Sequence, residues 1–476
     1  MRKIYRFALA FTLIGASLSL QSCEDYFDLH ENPNLVSNPP LNAMLSTTTH
    51  KTGLNSQRIA ATTAFYVQYL ASPVAGNATD TYQEVDLTGT WDAIYLAMAD
   101  IQDMKQKGME EGATDYVGVA NIMMAYHLNL IVDHWGDAPY TQAFDNTTLT
   151  PRFDSSQDLY AEALRLLDEG IAELNKTDSR IPLRAADDLI HGGNKTQWIR
   201  TANAFKARML NKVSKLPSYD PTAVLTAVDN SYQSNADDAE MEVFEVRNPW
   251  AQVAISNTQL VLGGWLSEQF VDHLNGTTYG VFDPRLPRIT EPTDPKFSIA
   301  PYIGTPNGVG NVGTRSNTDR DEVYISITSP LTGETSPITI ASYAEMKFIE
   351  AEAAFRAGNR ERAYAAYLAG ITAHMNKLGV PEGERNAYLS NPAVAVGAAN
   401  LTLDLIFKEK YVVTYLNAEA WTDARRYDYQ YADFDLPANA ELTTFIRRVA
   451  YPQGESSKNP NTPNTPALSE PLWWDQ

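Results

Sequence analysis

Residues 343–371 read YAEMKFIEAEAAFRAGNRERAYAAYLAGI, and their spacing decides the fold class. Ala344, Phe348, Ala351 and Phe355 recur at intervals of 4, 3 and 4, the apolar stripe of a helix with 3.6 residues per turn. Gly358-Asn359 interrupts the stripe, and Ala363, Tyr367 and Ile371 resume it at intervals of 4 and 4. Two helices with small residues at their contacts, joined by a Gly-Asn turn, form the unit of a tetratricopeptide-like repeat. The pattern predicts a mainly α protein built on such pairs, with irregular loops and minor β elements.

Working outward, the same period recurs. Val117, Ala120, Met124, Leu128 and Ile131 predict a helix over 113–134. In SSQDLYAEALRLLDEGIAEL, residues 155–174, Ser155 and Ser156 are candidate N-caps, and Leu159, Ala163, Leu166 and Leu167 share one face. Further helices are expected over 42–70, 90–107, 196–215, 258–274 and 400–420. Residues 276–340, rich in Gly, Pro, Asn and Thr, predict a loop-rich insert in which Val323–Ile327 alternates like a short strand. The last 25 residues contain five prolines and predict an extended tail packed over the body.

Of the 476 residues, 44% are hydrophobic and 20% charged, a globular composition with ample core. The 37 basic and 58 acidic residues leave a net charge of -21. Such a chain repels phosphate backbones and anionic headgroups, so no nucleic-acid partner is expected.

The start of the chain has a separate logic. It begins with the basic Met1-Arg2-Lys3 and runs to Leu20 mostly in Ala, Leu, Phe, Ile and Ser, the pattern of a signal peptide. Leu20-Gln21-Ser22-Cys23 resembles the bacterial lipobox, in which cleavage exposes a cysteine carrying a diacylglycerol thioether. Gln21 departs from its tightest form, which has a small residue there. Cys23 is the only cysteine, so it has no internal disulfide partner. The expected boundaries are a signal peptide over 1–22 and a single body over 23–476. No later segment is apolar enough to span a bilayer, so membrane attachment would be through lipid alone.

Catalytic patterns are few. Gly308-Val309-Gly310-Asn311-Val312-Gly313 satisfies G-x-G-x-x-G, but no hydrophobic strand precedes it and no amphipathic helix follows, so a flexible loop is expected. His127 and His134 lie two helical turns apart, about 10 Å at 1.5 Å per residue, which suits core or capping roles better than a shared zinc. Glu110-Glu111 and Asp187-Asp188 are candidate glycosidase carboxylates, with solvated surface as the default. No cofactor and no metal is called for.

Several segments together resemble the SusD/RagB family of Bacteroidota outer-membrane lipoproteins: EDYFDLHENPN after Cys23, DHWGDAPYTQAF, FDSSQDLYAEALRLLDEGIAEL, DLIHGGNKTQWIRTANAFKARML, FDPRLPRI, SYAEMKFIEAEAAFRAG, FKEKYVVTYLNAEAWTDARRYDY and RRVAYPQGE. They fall in order over nearly the whole chain, and the D-P-R-L segment is similar to the SusD-like type 2 branch. Ala424 and Tyr427 depart from the family's more usual bulky residue and threonine.

The resemblance implies a non-enzymatic lid on a SusC-like TonB-dependent transporter barrel, binding an oligosaccharide, or in some branches a peptide, and delivering it to the barrel. It also implies that Cys23 is the lipid attachment point and that Glu24-Asp25 direct the protein to the cell surface. A surface-attached glycan or peptide hydrolase and a structural adhesin are the rival classes.

The motif residues themselves favour scaffolding. Trp135 and Tyr140 in DHWGDAPY are expected to plug a helix end, Trp198 shares a face with Ala202 and Phe205, and Arg425 and Arg426 follow Glu419 and Asp423 at ion-pairing reach. Sugar rings stack on aromatics and their hydroxyls need polar neighbours on loops. The candidates outside the motifs are Asn77, Asp80, Tyr82 and Trp91 in and after a polar loop, Trp250 after Arg247-Asn248-Pro249, and Tyr302 in the insert, with simple packing as the alternative for each aromatic.

Overall fold

The computed structural model describes residues 38–145, 147–257, 263–298, 300–312 and 320–476. The signal segment, Cys23 and Glu24-Asp25 lie outside the described residues.

Helices α1 (Leu41–Tyr66), α2 (Thr88–Glu111), α3 (Thr114–His134), α4 (Ser156–Leu174), α5 (Lys195–Lys212) and α6 (Pro221–Asp229) follow one another along the first half. Each of α1 to α4 packs most closely on its neighbour in sequence, the arrangement of stacked helical pairs. Every residue of α3 from Asp115 to His134 is buried, so this helix runs through the middle of the body. Ser155 caps α4 as expected, its side chain accepting from the Asp158 backbone N–H.

After α7 (Pro249–Asn257), α8 (Glu268–Asn275) and the short α9 (Leu286–Ile289), the pair that opened the sequence reading appears as α10 (Tyr343–Arg356) and α11 (Arg360–Lys377). Gly358 has φ 79 and Asn359 caps α11 by accepting from Arg362 N–H. Phe348 is wholly buried, and a Cβ at Gly370 would lie 2.5 Å from its ring, so only glycine lets the two helices approach this closely. The chain closes with α12 (Glu382–Leu389), α13 (Leu403–Val413), α14 (Glu419–Arg426) and the one-turn α15 (Gln453–Ser456).

Two small antiparallel ladders tie segments distant in sequence. β1 (Leu70–Ala71) pairs with β3 (Trp265–Leu266), Leu70 opposite Leu266, and β2 (Ala239–Met241) pairs with β4 (Ile338–Ala341), Met241 opposite Ile338. The C-terminal tail lies over the body: Trp474 is buried, and the Arg425 guanidinium sits 3.7 Å from the Trp421 ring centroid and 4.6 Å from that of Trp474.

Three expectations are corrected. Over its described part, 263–274, the helix expected over 258–274 is replaced by β3 and α8, because Leu266 N–H donates to Val323 O and Ser267 caps the new helix. The helix expected over 400–420 divides at Leu416, with φ 59, where the Asn417 amide donates to Thr339 O. Val323–Ile327 contributes only an isolated bridge, Tyr324 to Trp265, rather than a strand.

Candidate functional site

Family-like motifs converge in the interior as a network of ion pairs. Arg426 on α14 makes a bidentate contact with Glu352 on α10, at 2.8 and 2.9 Å, and bonds Asp423 at 2.6 Å. Lys410 on α13 reaches the other Asp423 oxygen at 2.7 Å, and Arg208 on α5 grips Glu345 at 2.8 and 2.7 Å. Burial pushes the Glu352 carboxyl upward, but Arg426 with Arg356 and Lys410 outweighs it and holds the group well below the usual range. Arg425 instead donates to the Asp133 and Arg447 carbonyls, at 2.6 and 3.0 Å.

Other motifs are equally internal. Asp283 and Arg285 of FDPRLPRI are buried in an ion cluster with Glu409 of FKEKY. The Trp135 indole donates to Ala450 O at 3.0 Å, and that of Trp198 to Asp188 Oδ2 at 2.7 Å. Asp188 is therefore a buried cap rather than solvated surface, while Asp187 pairs with Arg184. His127 and His134 have their Nδ1 atoms on backbone carbonyls of their own helix, and burial takes them down to about 4 and about 3, as core residues held neutral. Among the described residues no cluster of side chains is arranged to hold a metal ion.

The six ligand candidates do not meet on one surface. Tyr82, Trp91 and Trp250 are only 0%, 3% and 4% exposed, whereas a stacking platform needs an open ring face. Tyr82 donates to Tyr66 O, Trp91 packs on Tyr95 and Trp135, and Trp250 lines a small interior cavity of about 40 Å³ with His374 and Tyr415. Asp80, also buried, is a loop staple: it accepts from the Asn307 amide at 2.6 Å and from Gly308 N–H at 2.7 Å, and burial pushes it up to about 6. Asn77 stays on the surface, its side chain accepting from Thr79 N–H, and Tyr302 is half-buried beside Phe282.

The G-x-G-x-x-G run has a packing role over its described part. Gly308 has φ 80, and a Cβ there would collide with Ala438 O. Loops 73–82, 305–312 and 433–441 are cross-bonded at this point through Gly76 N–H to Gly308 O, Ala438 N–H to Asn307 O and Glu441 N–H to Thr81 O. They stand beside the start of α8 and frame an open depression of about 390 Å³ lined by Gln68, Glu268, Asp272, Thr277, Asp433 and Asp435, among others.

A second depression, about 530 Å³, is lined by Gly280, Phe282, Pro284, Pro287, Glu384 and Asn391 among others. Thr278, at the edge of the first, is two residues from Gly280, which at about 3.6 Å per residue keeps the two depressions within roughly 7 Å of each other along this segment. Phe282 is the one aromatic among the strongly exposed large hydrophobic side chains described, and its ring centroid lies 6.1 Å from that of Tyr302. Phe282 went unnoticed in the sequence because it stands inside FDPRLPRI, whose Asp283 and Arg285 face inward. The signal that marks it is its place at the end of the Gly280-containing turn, ahead of the buried pair.

The helical-pair scaffold thus keeps its motif charges internal, and its loops carry two open depressions with the exposed Phe282 in the lining of the second. The family described as SusD-like, starch-binding and associating with the outer membrane matches residues 33–452, and the chain belongs to it. Members are binding proteins, not enzymes. Among solved structures, a SusD/RagB family protein from Bacteroides thetaiotaomicron is similar at 21% identity and TM-score 0.75, over 92% of this chain and 99% of that one. A chitin-binding SusD homolog from Flavobacterium johnsoniae is similar at 20% identity and TM-score 0.74, over 91% and 98%. A SusD homolog from Bacteroides fragilis follows at 18% identity and TM-score 0.73, over 91% and 100%. No curated protein matches the sequence.

Proposed function

We propose that this member of the family is a cell-surface lipoprotein that captures an oligosaccharide and hands it to a SusC-like TonB-dependent barrel. The observation that carries the glycan reading is the exposed Phe282, which lines the 530 Å³ depression together with Asn391 and Glu384 and has the Tyr302 ring 6.1 Å away. Aromatic faces take the C–H face of a sugar while amide and carboxylate groups take its hydroxyls. A glycan array probed with the detergent-solubilised protein tests this. Binding to one glycan class supports the reading, and a peptide library outperforming every glycan overturns it.

The anchor is part of the same proposal: residues 1–22 are removed, residues 23–476 form the mature body, and Cys23 carries the lipid. Replacing it, Cys23→Ser, should release the protein from the outer membrane on cell fractionation, and continued surface attachment contradicts the anchor. Delivery to the barrel is tested by co-purification with a TonB-dependent transporter from membranes, which should fail if the protein acts as an adhesin alone.

A further inference from the structure

The two adjoining depressions have a charge as well as a shape. Glu268, Asp272, Asp433 and Asp435 line the first and Glu384 the second, and among the described residues no lysine or arginine lines either. None of these five carboxylates is in an ion pair with a described residue, although most acids of the helical body that are buried are. Asp272 is held only by neutral donors, the Asn275 amide and Thr277. Burial, then the neighbouring Asp272, pushes the Glu268 carboxyl upward. Asp272 is itself raised by burial, with Asp433 adding to the effect. The acids therefore feel one another, and among the described residues no cation pairs with them.

Resting on the reading that this surface binds a glycan, we infer that its ligand is an uncharged or amino-bearing oligosaccharide and that uronate- or sulfate-bearing chains are rejected, with Glu268, Asp272, Asp433, Asp435 and Glu384 as the specificity-determining residues. Hydroxyl and ammonium groups donate hydrogen bonds that carboxylates accept, and the exposed Phe282 ring supplies an apolar face that needs no charge. A carboxylated or sulfated sugar docked on the same ring meets like charges on both sides, a repulsive element that acts as discrimination. The chain's net charge of -21 extends that repulsion to the approach itself.

The test uses the full-length protein in detergent and four β-1,4-linked hexasaccharide probes on one sugar backbone: uncharged, amino-bearing, uronate and sulfated. At about 20 mM salt, where the Debye length is some 20 Å, the uncharged or amino probe should bind at least about tenfold more tightly than either anionic one. Raising the salt should narrow that gap by strengthening the anionic probes. A triple variant, Glu268→Gln with Asp433→Asn and Asp435→Asn, should gain affinity for the uronate probe. Preference for an anionic probe in the native protein overturns the inference while leaving the glycan reading intact. Failure of all four, together with a blank wider array, overturns both. If the triple variant does not fold, the salt dependence of the native protein decides alone: anionic binding that weakens with salt contradicts the inference.

Discussion

In the helical body, Arg208, Lys410 and Arg426 each face a carboxylate in the interior, and Arg425 is fixed by three carbonyls and two indole rings. On the loop surface the carboxylates of Glu268, Asp272, Asp433 and Asp435 face the open depression without a cation among the described residues. The same residue types are thus used in two ways. Where helices must meet, a charge is desolvated only with its partner in place, so the motif residues specify how α5, α10, α13 and α14 register against one another. Where a ligand must enter, charge is left open to whatever binds. The charged residues of the family-like segments are for this reason uninformative about the ligand, and within FDPRLPRI only Phe282 turns to the surface depression while Asp283 and Arg285 are buried.

The largest effect separating the two regions comes from the core of the pair α10 and α11. Phe348→Asp places a carboxylate with no cation against Gly370, where the native ring is wholly buried, at a cost of several kcal/mol. The expected outcome is loss of the cooperative unfolding transition by circular dichroism. Retention of a native transition breaks the assignment of this pair as the scaffold.

A smaller loss is expected from Arg426→Met, which takes the bidentate partner from Glu352, leaving it Arg356 and the Asn211 amide, and leaves Asp423 to Lys410 alone. Breaking one side of a buried pair costs about 3–5 kcal/mol, read as a shift of the urea midpoint. Ligand affinity per folded molecule should stay native, since the network is remote in role from the loop surface. An affinity loss with native stability reverses the comparison.

Asp80 gives a finer test, because its carboxyl is the joint between loops that frame the first depression. Its native value, raised to about 6 by burial, lies above the ordinary 3.8, so the native state binds the proton more tightly than the unfolded chain. This group's contribution to stability therefore increases as pH falls from above 6 towards 4 and is lost as pH rises through 6. The stability of native protein relative to Asp80→Asn should rise over that window in melts at matched pH. A flat difference indicates that the carboxyl is not held in a dry joint.

Much of the scaffold was legible because helical spacing is a local property. The helix over 113–134, the Ser155 cap and the Gly358-Asn359 turn all follow from residues within a few positions of one another. The expected helix over 400–420 failed at a long-range contact: Asn417 is bonded to Thr339 and Ile340, some eighty residues away, and no local pattern announces that. The site was less legible for a related reason. Tyr82 and Trp91 stand in or after a polar loop, yet the loop turns them onto Tyr66 and Trp135, because polar loop backbone is satisfied at the surface while its aromatics cover the helix ends. Composition reports that a loop is polar but not which of its side chains turn inward.

The most direct test of the division between scaffold and surface is calorimetric titration of the Phe282→Ala, Tyr302→Ala double variant with the oligosaccharide selected on the array, alongside its melting curve. Removing the exposed Phe282 ring and the half-buried Tyr302 ring should cost about 1–3 kcal/mol of binding for each, with a melting temperature near that of the native protein. Native affinity in the double variant, or an early melt with normal binding per folded molecule, would contradict the account and return Phe282 and Tyr302 to the packing of the insert.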